Sequence, residues 1–154
     1  MMAEPKFKPK ENQVDFTNVR HCPVINCVVK YQDKVLLVQR EKSLRLYPGY
    51  WNGISGFLDD DKTLEEKVYE ELREEAGISK EAVGSIKRGG VLIQESEEYK
   101  KTWIVFPVLA EVKTDKVKLD WESSNHRWLF VEEARNLNLL PGFPEVLDAL
   151  FKNT

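Results

Sequence analysis

Apolar residues recur at every fourth position in Leu64, Val68, Leu72 and Ala76, the stripe of an amphipathic helix. Both ends of that helix are marked. Thr63 is an N-cap residue type, and Glu66 three positions on completes a capping box. Gly77 stands where a left-handed C-cap is expected. Upstream, 24–31 (VINCVVKY) and 35–40 (VLLVQR) are β-rich runs separated by Gln-Asp-Lys, which predicts a hairpin. Between hairpin and helix, Pro48-Gly49 marks a turn, and Gly53 and Gly56 loosen the backbone around Ile54-Ser55. Downstream, 89–94 and 102–112 (TWIVFPVLAEV) read as a second pair of strands, with Pro107 pointing to an edge or a bulge. A short strand at 127–131 follows, then a short helix from Glu132 to near Leu140. A terminal amphipathic helix over 145–151 turns Val146, Leu147, Leu150 and Phe151 inward.

Composition narrows the class. The chain has 154 residues, enough for one domain with a single core. With 42% hydrophobic and 32% charged residues it reads as globular and soluble. A net charge of −3 gives no sign of a nucleic-acid surface. No apolar run approaches the ~20 residues of a membrane span, and the polar N-terminus is no signal peptide, so the expected compartment is the cytoplasm. Residues 1–20 read as an N-terminal arm, Lys-, Glu- and Pro-rich up to about Asn12, ahead of a single domain over 21–154. The two cysteines, Cys22 and Cys27, stand an odd number of positions apart. On one strand that turns them to opposite faces, which argues for buried thiols over a mutual disulfide.

Candidate chemistry collects on the striped helix. At about 100° per residue, Glu71, Glu74 and Glu75 fall within roughly a 100° arc beside the apolar stripe. Like charges at that spacing destabilise a helix. The cluster makes sense if a cation binds it, and hard oxygen donors suit Mg²⁺ or Mn²⁺ together with substrate phosphates. The plainer reading is a solvated acidic face.

The stretch 56–78, GFLDDDKTLEEKVYEELREEAGI, resembles the Nudix box, G-x5-E-x7-R-E-U-x-E-E-x-G-U, where U is aliphatic. Gly56, Glu71, Leu72, Glu74, Glu75, Gly77 and Ile78 match at the right spacing. Lys62 stands where the family has Glu, and Glu70 where it has Arg. Over roughly 22–151 the resemblance implies a Nudix α/β/α sandwich with a mixed β-sheet. It also implies Mg²⁺-dependent (or Mn²⁺-dependent) hydrolysis of a diphosphate linkage in a nucleoside diphosphate derivative, ADP-ribose-like or a (d)NTP. The implied partner is that small-molecule nucleotide, with no nucleic acid and no membrane, and a homodimer is left open. A nucleotide-sensing module that does not cleave is the other reading, motivated by Lys62 and Glu70. An isopentenyl diphosphate type of isomerase lacks support, because no Cys lies in the loop before the box.

Site roles follow from the same resemblance. Glu71, Glu74 and Glu75 are the implied metal ligands, joined by the backbone carbonyl of Ser55, where Ser replaces a family glycine. Glu71 and Glu75 are the implied essential acids. For the general base, Glu71 competes with the loop Glu95, Glu97 and Glu98, of which Glu98 is carried forward. Arg40, closing the second strand, is a candidate phosphate or base contact or else a surface arginine. Trp51 is either core or a stacking platform. Phe143, in the 141–144 loop, is a stacking candidate. His126 reads as a strand-edge residue. Finally, the Lys62 and Glu70 departures reverse both signs, so an attractive pair could survive. Eight residues of helix rise about 12 Å, so this requires the 59–62 loop to fold back and bring Lys62 within ~4 Å of Glu70. The alternative is a merely solvated Glu70.

Overall fold

A computed structural model describes residues 16–151, and residues 1–15 of the expected arm lie outside it. The chain forms β1 (His21–Tyr31), β2 (Lys34–Arg40), β3 (Trp51–Asn52), β4 (Ile54–Phe57), α1 (Leu64–Ala76), β5 (Val83–Arg88), β6 (Leu92–Ser96), β7 (Lys101–Val112), β8 (Ser123–Leu129), α2 (Val131–Ala134) and α3 (Phe143–Phe151), with a 3-10 turn at Lys80–Ala82. The mixed sheet holds β1 and β7 side by side in parallel, and its other pairings are antiparallel. No helix among the described residues is long and apolar enough to cross a membrane.

Each face of the sheet carries its own core. On one face Val68, Leu72 and Ala76 of α1 pack against Ile25, Cys27 and Val29 of β1 and Val108 and Ala110 of β7. On the other, Phe143, Val146 and Leu147 of α3 meet Val28, Val35, Leu37 and Val105. The period-2 alternation of β1, β2 and β7 makes this two-sided burial possible. Cys22 and Cys27 are free and buried, and burial pushes the Cys27 thiol up to about 12.

One edge of β1 is shared, and this positions the site. β2 takes its Lys30–Tyr31 end, while β4 takes Val24–Cys27. The sheet therefore forks, with β2, β3 and β8 on one prong and β4 on the other. β7 is central and its register with β1 runs unbroken through Asn26 and Pro107, which corrects the expectation of an edge or a bulge at Pro107. Pro107 instead lies opposite the interruption between β5 and β6, where its carbonyl accepts from the Gly89 amide. Its missing N–H faces that break, so no ladder bond is lost. The described end of the expected arm is tied to the domain. Phe16 stacks on Phe57 with 4.9 Å between centroids, and the buried Lys101 ammonium donates to the carbonyls of Phe16, Thr17 and Val19.

Candidate active site

The Thr63 hydroxyl caps the Glu66 amide, and the Glu66 carboxylate returns to the Thr63 amide. Gly77 ends α1 with φ +67° and hands its N–H to the carbonyls of Leu72 and Arg73. These local bonds fix the helix register and, with it, the faces on which its glutamates lie. Gly56 of β4 makes the closest approach. A Cβ there would meet the Glu71 side chain at 2.5 Å, so only glycine lets the strand back directly onto that carboxylate.

Two groups of acids surround α1. In the first, Lys62 reaches Glu70 at 2.9 Å and Asp60 at 3.0 Å. The 59–62 loop has folded back as the swapped pair required. Inside it lies Lys67, only 2% exposed, at 3.2 Å from Asp59, 3.1 Å from Asp60 and 3.5 Å from Glu70. Burial alone would depress the Lys67 ammonium, but its bonds to Asp60 and Asp59 and the Glu70 charge outweigh burial and raise it. Burial likewise opposes ionisation of Asp60, yet hydrogen bonds from Lys62 and Lys67 bring it down to about 2. Glu70 is also lowered, against its burial, first by Lys62 and then by Lys67.

The second group behaves in the opposite way. Glu75 is buried, and its carboxyl shares a hydrogen bond with that of Glu71, which favours the protonated form at Glu75. Burial first, and then the Glu71 charge, push Glu75 far above the carboxylate range. Burial raises Glu71 as well, with Glu74 adding to it. Asp120 and Glu122, from the segment entering β8, face the same cluster. Burial raises both, and the neighbouring charges of Asp120 and Glu71 help carry Glu122 to about 7. Among the described residues, the Lys67 charge reaches Glu71 from the first group, and two arginines stand near the others. Arg40 lies beside Glu122 and donates from Nε to the Leu46 carbonyl at 3.0 Å, and Arg73 lies 3.7 Å from the half-exposed Glu74.

A divalent cation fits where the two groups meet. Carboxylate oxygens of Glu70, Glu71 and Glu74 lie within 4.8 Å of one another, with Glu75 outside that set, and the Lys67 charge reaches Glu71. Oxygen-only donors of this kind suit Mg²⁺ or Mn²⁺. Within the triad Glu70 is already held by Lys62 and Lys67.

The other expected residues fall in varied places. Ser55 is half-buried in β4, and its Oγ accepts from Asn52 at 3.4 Å. Arg40 ends β2 opposite Ser123, next to the acids. Trp51 is half-buried in β3 and packs on the α3-side core. Phe143 is the first residue of α3 and fully buried, so its ring fills core and presents no face to a ligand. Glu98 is exposed in the turn between β6 and β7, while Glu95 bonds Arg20 and Thr102. Asp120 and Glu122 escaped the sequence reading. The signal available was an acid-aromatic-acid run, Asp120-Trp121-Glu122, immediately ahead of a strand.

The family model described as NUDIX domain matches residues 20–150. The uncharacterized Nudix hydrolase YvcI of Bacillus subtilis is 28% identical over 132 residues, covering 84% of this chain and 78% of that one. Among solved structures, the MutT protein from Methanosarcina mazei Go1 superposes with a TM-score of 0.69 at 23% identity, covering 88% of this chain and 99% of that one. The NUDIX domain of Shewanella oneidensis NrtR, crystallised with ADP ribose, gives 0.72 at 18% identity, covering 91% and 92%. At these identities the two structures establish a shared fold.

Proposed function

This chain belongs to the Nudix family, and on that premise we propose that it hydrolyses a diphosphate linkage in a nucleoside diphosphate derivative with Mg²⁺ or Mn²⁺. The observation that carries the reading is the acid cluster of Glu71, Glu74, Glu75, Asp120 and Glu122, whose buried members are raised by one another and by burial. Glu71, Glu74 and Glu75, with the Ser55 carbonyl, would hold the cation. The cation supplies charge neutralisation for the diphosphate oxygens and makes a water more acidic.

The chain's own groups do the rest. Gly56 and the capped helix hold Glu71 in place, Arg40 offers a guanidinium at the mouth of the cluster, and a carboxylate takes the proton of the attacking water. For that proton, Glu122 competes with Glu98. Glu122 faces Glu71 and Glu74, whereas Glu98 is exposed in its turn. ADP-ribose-like compounds and (d)NTPs are the proposed substrate classes, and the ADP ribose held by the NrtR domain of like fold supports the first.

Nucleotide binding without cleavage is the second reading, motivated by Lys62 and Glu70; their 2.9 Å ion pair supports cleavage in so far as the attraction between the two positions survives the reversal. A panel of diphosphate compounds assayed with Mg²⁺ and with EDTA tests the proposal. Product formed only with the metal supports it. Nucleotide bound and recovered intact across the panel overturns it in favour of a sensing module.

A further inference from the structure

Lys67 is an ammonium sealed where α1 begins, 2% exposed, beside an Asp59 that is itself only 4% exposed. Taking such charges out of water is costly, and an apolar side chain would fill the same helix position without that cost. What the ammonium does there is mechanical. It draws Asp59 and Asp60 of the 57–62 segment onto the helix and holds Glu70 from within it. That segment begins at Gly56, the wall against which Glu71 lies, and Glu70 is the chain neighbour of Glu71.

We propose that Lys67 is a positioning residue of the metal site: it clamps the 57–62 segment to α1, so that the Gly56 wall and the anchored Glu70 set the direction of the Glu71 carboxylate. The charge reversal at Lys62 and Glu70 is then a three-residue unit, with Lys67 as its buried member.

The inference rests on the divalent-cation reading, and its test has a sign that separates it from simple charge effects. Lys67→Met removes the charge at nearly constant length. By Coulomb's law alone, removing a cation beside an acidic site tightens Mn²⁺ binding. Loss of positioning weakens it. For Mn²⁺ added to the substrate-free protein and followed by electron paramagnetic resonance, the expected result is affinity lower by about tenfold. Turnover should fall by about 10- to 100-fold, the range found when partners that orient metal ligands are removed. KM for the nucleotide should stay within about threefold, because the loss lies in positioning and not in uniform substrate binding.

Lys67→Met leaves Asp59 buried beside an apolar chain, so Lys67→Met/Asp59→Asn is made alongside it. The double variant should regain the melting temperature but not the Mn²⁺ affinity or the turnover. Recovery of all three, or a Lys67→Met protein that binds Mn²⁺ at least as tightly as wild type, reduces Lys67 to a counter-ion and overturns the assignment. A wild-type protein that binds no Mn²⁺ overturns the metal reading, and this inference with it.

Discussion

Around the first turns of α1, Asp59, Asp60 and Glu70 meet Lys62 and Lys67 at 2.9 to 3.5 Å. About one turn further on, Glu71, Glu74 and Glu75 meet Asp120 and Glu122. The acids of both groups are carboxylic acids gathered around one helix, yet Asp60 and Glu70 are shifted below the free carboxylate range while Glu71, Glu75, Asp120 and Glu122 are shifted above it. Burial pushes both groups upward, and only the presence of protein cations reverses it in the first. The first cluster already holds its counter-ions, whereas the second, raised by burial, is where the proposed cation would bind.

Removing a carboxylate from the second cluster should have the largest effect. Glu75→Gln keeps shape and removes a proposed metal ligand, at a cost of about 3 kcal/mol or more of barrier, so turnover should fall at least ~100-fold. The far-ultraviolet circular dichroism should be unchanged, and the metal-free protein should melt higher, because one member of a repelling set is gone. Turnover within a few-fold of wild type breaks the comparison at its centre.

The acid outside α1 comes next. Glu122→Gln should cost about 10- to 100-fold in turnover, as expected of a general base or ligand, and Glu98→Gln should leave it nearly unchanged. Steady-state kinetics with the order reversed returns the role to the β6–β7 turn.

Metal and pH sharpen the contrast without mutation. At about 100 times its dissociation constant, Mg²⁺ should stabilise the fold by about 2.7 kcal/mol, some 5–10 °C in a domain of this size, and EDTA should reverse it. In the second cluster the folded pKa values of Glu71, Glu75, Asp120 and Glu122 lie above the unfolded ones. Its contribution to stability is therefore complete below the unfolded carboxylate pKa and is lost as pH rises through the folded values, about 7 at Glu122. The metal-free protein should melt higher at pH 6 than at pH 8, and the gain from Mg²⁺ should be larger at pH 8. The first group has the opposite sign: the stability from Asp60 is present above its unfolded pKa and fades as pH falls toward about 2. Calorimetry at pH 6 and pH 8 reads the second group, and calorimetry at pH 5 and pH 3 reads the first, which should lose stability toward the lower pH.

Smaller effects probe the first group. Lys62→Glu should reduce turnover several-fold by repelling Glu70 and Asp60, and adding Glu70→Arg should restore part of it. A double variant no better than the single breaks the pair's link to the site. Smallest of all, Glu65→Gln cuts an exposed pair with Arg88 at 2.7 Å. It should move the melting temperature by no more than about 2 °C.

The parts legible in the sequence were those made by near neighbours. Thr63, Glu66 and Gly77 marked the ends of α1, and the 24–31 and 35–40 runs became β1 and β2. β5 was missed because VGSIKR is mostly exposed and carries no apolar run. Phe143 could not be told from a ligand-facing ring, since the same Pro-Gly-Phe-Pro string serves a loop or the first turn of a core helix. Glu122 lies some fifty residues from Glu71 along the chain, with no pattern linking the two.

Local sequence alone determined the helix, its caps and the candidate trio Glu71, Glu74 and Glu75, while the sign reversal at Lys62 and Glu70 was visible only against the Nudix box that the stretch resembles. The local features depend on hydrogen bonds and side-chain directions within a few residues, which repeat with the helical period. The protonation and partnering of those acids was decided by the tertiary structure. Coulomb energy and desolvation depend on distance in space and on exclusion of water. The buried Lys67 and the return of Asp120 and Glu122 across the sheet set both quantities only once the chain had closed.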